Sequence, residues 1–518
     1  MAPETPPSPR HLVLATIQEG VRVLSIRVLG GYAQGALGIR TTLLCIVKPL
    51  PTEGNPLLFT PGEARQIFRF LEREQVTHLG FYLMTAGFKP FRQLVQELRA
   101  LGYRGMILAG GVHVTLLPEE SLAEGVDFAV QGPGEIPLKM ILEGADPATI
   151  PGLVWRRDGA TVVNPVDAAQ RIDLDIVPFP LFRYDEDRVL LGGKIRPLTR
   201  SVQFHHDDWN GESYDLITSR GCLYNCAYCC RVDKGPVRRV SVDRAMRELL
   251  EVRKNHPEIS QINIQDDVFF AGSDEWVAEF CRRYKSEIGL RFIVRVIPRF
   301  GTPERIALLR DAGLYYVTMG LEGSDRVNKN VYRRMETRES FLKAAKAVLR
   351  NNLHLSIDII IDNPYENESD LRHVAETLNE LPRGNWNTVT LSLTPFPKTP
   401  IYERAEQDGL LGRFVTHAYD SMLTPSREGA YRTPFFWRSL YLKILPQVSP
   451  EMGEKLISRG PDDPWAAQTV ARMVAVMDRV KAVTFWAHRN IPTIYWLSTV
   501  LLKGIGFLFG KKRTPARP

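Results

Sequence analysis

The sequence predicts two α/β units in tandem, an N-terminal doubly wound (Rossmann-like) parallel sheet and a partial (β/α)6 TIM-type barrel, followed by a helical C-terminal region. Three observations predict this. Apolar strand-length runs alternate with amphipathic helical patterns from residue 11 to about 144; the rhythm lapses between 146 and 210; and it resumes from 214 to about 394 as six successive strand and helix units. At 518 residues the chain is too long for one ordinary domain, and with 44% hydrophobic and 24% charged residues each unit can bury a core. The formal charge of +7 is mild for this length and selects no partner by itself.

In the first unit, strands are expected at residues 12–17, 43–47, 79–83, 106–108 and 126–130. Thr60, Pro61 and Glu63 form a capping box with proline at the first helical position, and Ile67, Phe70 and Leu71 follow on one face. Phe91, Leu94, Val95 and Leu98 recur at i, i+3, i+4 and i+7 in a further helix that stops at Gly102. Asp158 and Gly159, between 153–156 and 160–163, signal a hairpin, and the proline-punctuated run 176–182 is a connector, so 146–210 reads as a structured linker. Barrel strands are expected at 214–218, 261–265, 291–296, 315–320, 354–361 and 388–393, with the active site at their C-terminal ends. The expected division is 1–145, 146–210, 211–405 and 406–518.

Of six cysteines, four (Cys222, Cys226, Cys229 and Cys230) fall within nine residues, which is a ligand cluster and not a disulfide framework. Soft thiolates at close spacing select zinc or iron-sulfur centres. A closed zinc site takes four ligands, commonly as two separated pairs, and no second pair follows here. Three thiolates on a cubane leave one iron open to a small molecule; a zinc knuckle or a chance group of buried thiols is the alternative. Cys230 is left unassigned, and Cys45 and Cys281 read as small buried apolar residues. The N-terminus shows no basic stretch followed by an apolar run and a cleavage site, so a reducing cytoplasm is expected.

The loop resembles that of the radical S-adenosylmethionine (radical SAM) superfamily, where three and then two residues separate the cysteines and an aromatic precedes the last, the place of Tyr228. The resemblance implies a 4Fe-4S cluster on Cys222, Cys226 and Cys229 whose free iron chelates S-adenosylmethionine. An electron, from a donor such as flavodoxin or ferredoxin, would then cleave it to a 5'-deoxyadenosyl radical. The resemblance also implies that Tyr228, Asp266 after the second strand, Arg295 ending the third and Glu322 ending the fourth meet the cosubstrate. For each of these charges a loop cap or a solvated position is the plain alternative. Asp362 to Glu366 stands where relatives carry a Gly-Pro-Gly turn, which is a departure.

Gly110, Gly111 and His113 after one strand, and Gly132, Gly134 and Glu135 after the next, resemble the cobalamin-binding domain found ahead of many radical SAM barrels. Glycines at the carboxyl end of a parallel strand let a large flat ligand approach the backbone. The resemblance implies that Thr85, Gly110, Gly111, His113, Gly132 and Glu135 surround cobalamin. Residues 16–22 lack the histidine that many cobalamin proteins present after their first strand, so no protein imidazole is expected on cobalt, and His113 fixes its loop or touches the corrin edge.

The expected activity is methylation at an unactivated carbon of a small or lipid-like substrate. Alternatives are oxidation, cyclisation or rearrangement with the same cofactors, or a non-catalytic corrinoid or iron-sulfur carrier. No nucleic-acid partner is expected, there being no recognised module or clustered basic and aromatic face. Residues 491–510 are mostly apolar, but Lys503 lies within them and Lys511, Lys512 and Arg513 follow. Such a helix is expected to lie peripherally on the inner face of the cytoplasmic membrane, not to cross it, with packing against protein as the alternative.

Overall fold

A computed structural model describes residues 10–18, 20–48, 59–207, 211–233, 235–419 and 431–490. The first sheet contains β1 (His11–Gln18), β2 (Arg40–Val47), β3 (His78–Tyr82), β4 (Met106–Gly110), β5 (Phe128–Val130), β6 (Leu153–Arg157), β7 (Ala160–Val163), β8 (Arg188–Leu191) and β9 (Lys194–Pro197). Their spatial order is β7-β6-β5-β4-β3-β1-β2-β8-β9. The run from β5 to β8 is parallel, and β6, β7 and β9 are antiparallel edge strands.

Strand alternation sends the two sides of β1 to different cores. Val13 and Ala15 meet α2 (Pro61–Arg73) and α3 (Phe88–Ala100), which follow α1 (Leu24–Gly35) in the chain, while Leu12 and Leu14 meet α1 and a later helix at 135–143. The chain thus winds outward from β1 in both directions, leaving a topological switch point between β1 and β3. The capping box at α2 is formed: Glu63 N donates to Thr60 Oγ1 over 3.2 Å and Thr60 N to Glu63 Oε2 over 2.8 Å. After β4 come the short helices α4 (Val112–Leu116) and α5 (Pro118–Ser121), and α6 (Glu135–Glu143) follows β5.

Residues 146–210 do more than link. The expected hairpin becomes β6 and β7 at one edge of the sheet, and β8 and β9 extend the opposite edge. The second hairpin was not expected, although Gly192 and Gly193, both with positive φ, sit between its strands and are a turn signal. The segment ends in α7 (Arg200–His206).

The second sheet is fully parallel, in the order β10 (Ser213–Leu216), β13 (Gln261–Ile264), β14 (Arg291–Arg295), β15 (Leu314–Glu322), β16 (His354–Ile361) and β17 (Trp386–Ser392); a ribbon of β11 (Ser219–Arg220) and β12 (Arg238–Arg239) stands apart. No pairing joins β10 to β17 among the described residues, so the barrel is open. Its convex face is covered by α8 (Val242–Asn255), α9 (Asp274–Arg283), α10 (Pro303–Ala312), α12 (Arg338–Arg350) and α13 (Glu368–Asn379), with the short α11 (Asp325–Asn330) after β15.

Beyond α14 (Pro400–Gln407), the helical C-terminal region shares the barrel's core. Trp437 of α15 (Phe435–Ser439), Leu456 of α16 (Pro450–Arg459) and Val470 of α17 (Pro464–Asn490) are buried with Val374 and Leu378 of α13. The departure at Asp362 has a structural answer. This residue itself takes φ +60°, accepts from Thr433 N at 2.8 Å and from the Ser392 hydroxyl, and so turns the chain while pinning the C-terminal region. Among the described residues no helix is long and apolar enough to cross a membrane, and the expected surface helix at 491–510 lies outside them.

Candidate active site

The cysteine loop springs from the ribbon of β11 and β12, turning at Gly221 (φ +95°). Its backbone is held from three sides. Ala227 N donates to Tyr332 O at 2.8 Å, Ile401 N donates to Ala227 O at 3.0 Å, and Arg231 Nη1 donates to Cys222 O at 2.9 Å. Tyr224 anchors the loop from below by donating its hydroxyl to buried Glu336 at 2.7 Å, and its amide points at Cys222 Sγ over 3.5 Å.

Burial pushes all three thiols up, and Cys229 reaches about 12 through burial, then Cys226, Asp267 and Cys222. Thiols this close are costly to ionise together until a cation is among them, which is the condition a cluster meets. Among the described residues no group of His, Cys, Asp and Glu converges tightly enough for a single metal ion. Three thiols in one loop are the donor set that a 4Fe-4S cluster with one open iron takes, whereas a closed zinc site takes four ligands. Cys230 is pushed to about 12 by burial and then by Cys229, and Cys45 and Cys281 are buried in cores.

Of the residues expected to meet the cosubstrate, Tyr228 and Glu322 converge with Arg334. The guanidinium lies 3.4 Å from the Tyr228 hydroxyl, 3.7 Å from Glu322 Oε1 and 3.9 Å from Cys226 Sγ. Burial pushes the Glu322 carboxyl up, and Arg334 pulls against it. Glu322 also sits at φ +63°, at a bulge between β15 and β16, a strained conformation that re-aims its side chain. Arg295 stands exposed at the end of β14, donating to Gln265 Oε1.

Asp266 needs correction. It is buried and accepts from Thr218 N (2.7 Å), Ser219 N (2.9 Å) and the Thr218 hydroxyl, with Arg239 at 3.5 Å, so its lone pairs are taken by its own chain. It ties the end of β10 to β13 beneath the loop, while its neighbour Asp267 is the exposed carboxylate beside the cysteines and Arg231. Sequence offered the pair Asp266 and Asp267; which of them faced the site depended on how the strand ended. Asp358 was also missed. Leu355, Ile357 and Ile359 of β16 lie in the helix-side core, so Asp358 takes the concave face, beside Glu322, Arg295 and Arg334. Burial and then Glu322 push its carboxyl up to about 7.

In the first domain a cavity of about 270 Å³ opens at the switch point. Leu14, Gly80 and Leu108 form its floor, α1 and α6 its sides, and Gly110, Gly111, Gly132 and Glu135 its rim. At Gly111 (φ +106°) an added Cβ would meet Leu83 O at 2.8 Å and Leu83 N at 2.9 Å, whereas at Gly110 the nearest atom would be 3.9 Å away. Gly111 is thus required by the close approach of Leu83, while the open space at Gly110 and the apolar floor leave room for an organic ligand against the strand ends. Thr85 and His113 do not line it. His113 is wholly buried, stacked on Phe88 at 4.2 Å with Nδ1 3.4 Å from the Thr85 hydroxyl, and burial lowers its pKa to about 4. It is a neutral packing group beside the site.

The two sites share a wall. Ile217, Arg220 and Val232 of the barrel also line the cavity, and Arg220, two residues before Cys222, pairs with Glu135 at 2.7 Å.

Family models match this arrangement in both parts, the B12 binding domain at residues 10–142 and the radical SAM superfamily at 216–378. The chain belongs to the cobalamin-dependent radical SAM enzymes, whose cofactors are a 4Fe-4S cluster, S-adenosylmethionine and cobalamin. Among curated proteins it is 26% identical over 321 residues to the uncharacterized methyltransferase PH0819 of Pyrococcus horikoshii, spanning 59% of this chain and 64% of that protein, so less than two thirds of the relative is covered. Similar folds include the radical S-adenosylmethionine methyltransferase TsrM of Kitasatospora setae, solved with tryptophan substrate and aza-SAM (18% identity, TM-score 0.61, 77% of this chain and 76% of that one). The cobalamin-dependent enzyme OxsB, solved with aqua-cobalamin, matches over 96% of this chain and 75% of its own (14% identity, TM-score 0.61).

Proposed function

We propose that this enzyme is a methyltransferase acting on an unactivated carbon of a small molecule, and that Cys222, Cys226 and Cys229 hold its cluster. The wall that Arg220 and Glu135 form between the cysteine loop and the glycine-rimmed cavity is the observation that carries this reading. Two cofactor sites that lie on either side of one wall would keep a carbon activated at one close to a group delivered from the other. When bound, the cluster and S-adenosylmethionine would supply the 5'-deoxyadenosyl radical, and cobalamin the methyl group.

The chain's own residues bind and orient. Tyr228, Glu322 and Arg295 would take the polar parts of S-adenosylmethionine, with Arg334 steadying Glu322. Gly110, Gly111, Gly132 and Glu135 would border the corrinoid. A polar barrel interior that carries Arg295, Glu322 and Asp358, where barrels of this type are commonly filled by apolar side chains, supports a substrate chamber there. A donor such as flavodoxin or ferredoxin would supply the electron in the cytoplasm. The test is anaerobic reconstitution with iron, sulfide and a corrinoid, followed by mass spectrometry. Formation of both 5'-deoxyadenosine and S-adenosylhomocysteine is expected; 5'-deoxyadenosine alone would point to oxidation or rearrangement, and no cleavage at all to a carrier.

A further inference from the structure

A continuous chain of polar contacts crosses from the N-terminal sheet into the barrel. Arg22, in the loop after β1, clasps Asp215 of β10 with two prongs, Nε lying 2.5 Å from Oδ2 and Nη2 meeting Oδ1. Gln265, just after β13, donates Nε2 to the same Asp215 Oδ1 at 2.8 Å, and its Oε1 accepts from Arg295 Nη1 at the end of β14. The Arg22 and Asp215 side chains are 14% and 11% exposed, so this ion pair is shielded from competing water, whereas Arg295 at the far end is exposed at the end of β14. The chemistry of the links leaves little freedom. A bidentate guanidinium-carboxylate pair fixes the plane of Asp215. An amide that gives its N–H to that carboxylate must turn its carbonyl the other way, toward Arg295.

We infer that Arg22 is a positioning residue for the S-adenosylmethionine site, acting through Asp215 and Gln265 to hold the Arg295 guanidinium where the cosubstrate's anionic or hydroxyl oxygens meet it. Arg22 occupies the loop after the first strand of the corrinoid domain, so one residue ties the seating of that domain on the barrel to the aim of a barrel side chain. Asp207 at 3.7 Å and Ser213 Oγ at 3.3 Å are its other partners, and both hold Arg22 in place without touching Arg295. The inference rests on the reading of Arg295 as a cosubstrate contact, and the experiment separates the two.

The measurement is binding of S-adenosylmethionine to cluster-loaded enzyme by titration calorimetry, together with the steady-state KM and kcat for its cleavage. Loss of one charge-assisted contact predicts that Arg295→Ala weakens binding by about tenfold to a hundredfold. Arg22→Ala should raise KM by about tenfold with kcat nearly unchanged, and Arg22→Lys, which keeps the charge but only one prong, should fall between. The double variant Arg22→Ala/Arg295→Ala should bind no more weakly than Arg295→Ala alone, because both changes act on one contact. Iron content and cluster absorbance report whether each variant is folded, and Gln265→Leu, which cuts the chain without touching the domain contact, repeats the test should Arg22→Ala fail to fold. If Arg295→Ala binds as well as the unaltered enzyme, the reading of Arg295 falls. If Arg295→Ala weakens binding while Arg22→Ala and Gln265→Leu do not, or if the effects of Arg22→Ala and Arg295→Ala simply add, the positioning chain falls.

Discussion

The two sheets of this molecule each end in a candidate ligand site at the carboxyl edge of their parallel strands, but one is apolar and rimmed by glycines while the other joins a loop of thiols to charges drawn from several strands. The first sheet carries helices on both faces, so its ligand space is the gap at the switch point, floored by Leu14, Gly80 and Leu108 and rimmed by glycines from two loops. The second sheet packs its convex face against helices, and its concave face bears Arg295, Glu322 and Asp358. On the proposed reading, the first would hold its ligand by shape and close backbone approach, and the second by charge and thiolate. The two differ in what a mutation must do to disable them.

The largest effect belongs to the loop. Replacing Cys222, Cys226 or Cys229 by Ala should take iron from about four atoms per chain to near zero and abolish cleavage of S-adenosylmethionine, whereas Cys230→Ala should retain the cluster, as iron analysis and visible absorbance will report. A retained cluster in any of the first three variants breaks the ligand assignment.

In the apolar site the decisive changes are additions. Gly111→Ala places a methyl against the Leu83 backbone at positive φ and should cost about 1–3 kcal/mol in denaturant melts, together with corrinoid binding. Gly110→Ala meets nothing closer than 3.9 Å and should cost under about 0.5 kcal/mol. Equal losses would mean that the rim is not a backbone cradle.

The shared wall lies between these extremes in character. Arg220→Ala leaves Glu135 largely buried without its partner and should destabilise the fold by about 1–3 kcal/mol, and Glu135→Gln in the same chain should restore much of that. Corrinoid affinity measured alongside tells whether the pair acts on the ligand or only on the domain contact.

Two opposed pH slopes separate the sheets as well, one from each. Asp358, raised to about 7 from an ordinary carboxyl near 3.8, binds a proton more tightly when folded, so its contribution is full below the lower value and fades as pH rises to about 7. His113, lowered from 6.5 to about 4, contributes above 6.5 and fades as pH falls toward 4. In chemical-denaturation series between pH 4 and 7, Asp358→Asn should remove a fall of stability with rising pH, and His113→Gln a fall with acidification. A stability profile unmoved by both variants would mean that neither group is held as the structure shows.

The sequence by itself determined the local features: strands and helices from periodicity, the α2 capping box from Thr60, Pro61 and Glu63, and the cysteine loop from spacing that a cubane can use. These are contacts within a few residues, where covalent geometry limits the choices. The tertiary structure decided which of two adjacent carboxylates faced the site, because the Thr218 and Ser219 amides beyond β10 exhaust Asp266 and leave Asp267 outside. It decided that His113 is packed beneath Phe88 and not presented to a ligand, and that residues 153–163 and 188–197 build the edges of the first sheet. It also brought Arg22 to Asp215 and Glu135 to Arg220, which no spacing encodes, since each pair joins residues far apart in the chain through the meeting of two separately formed sheets.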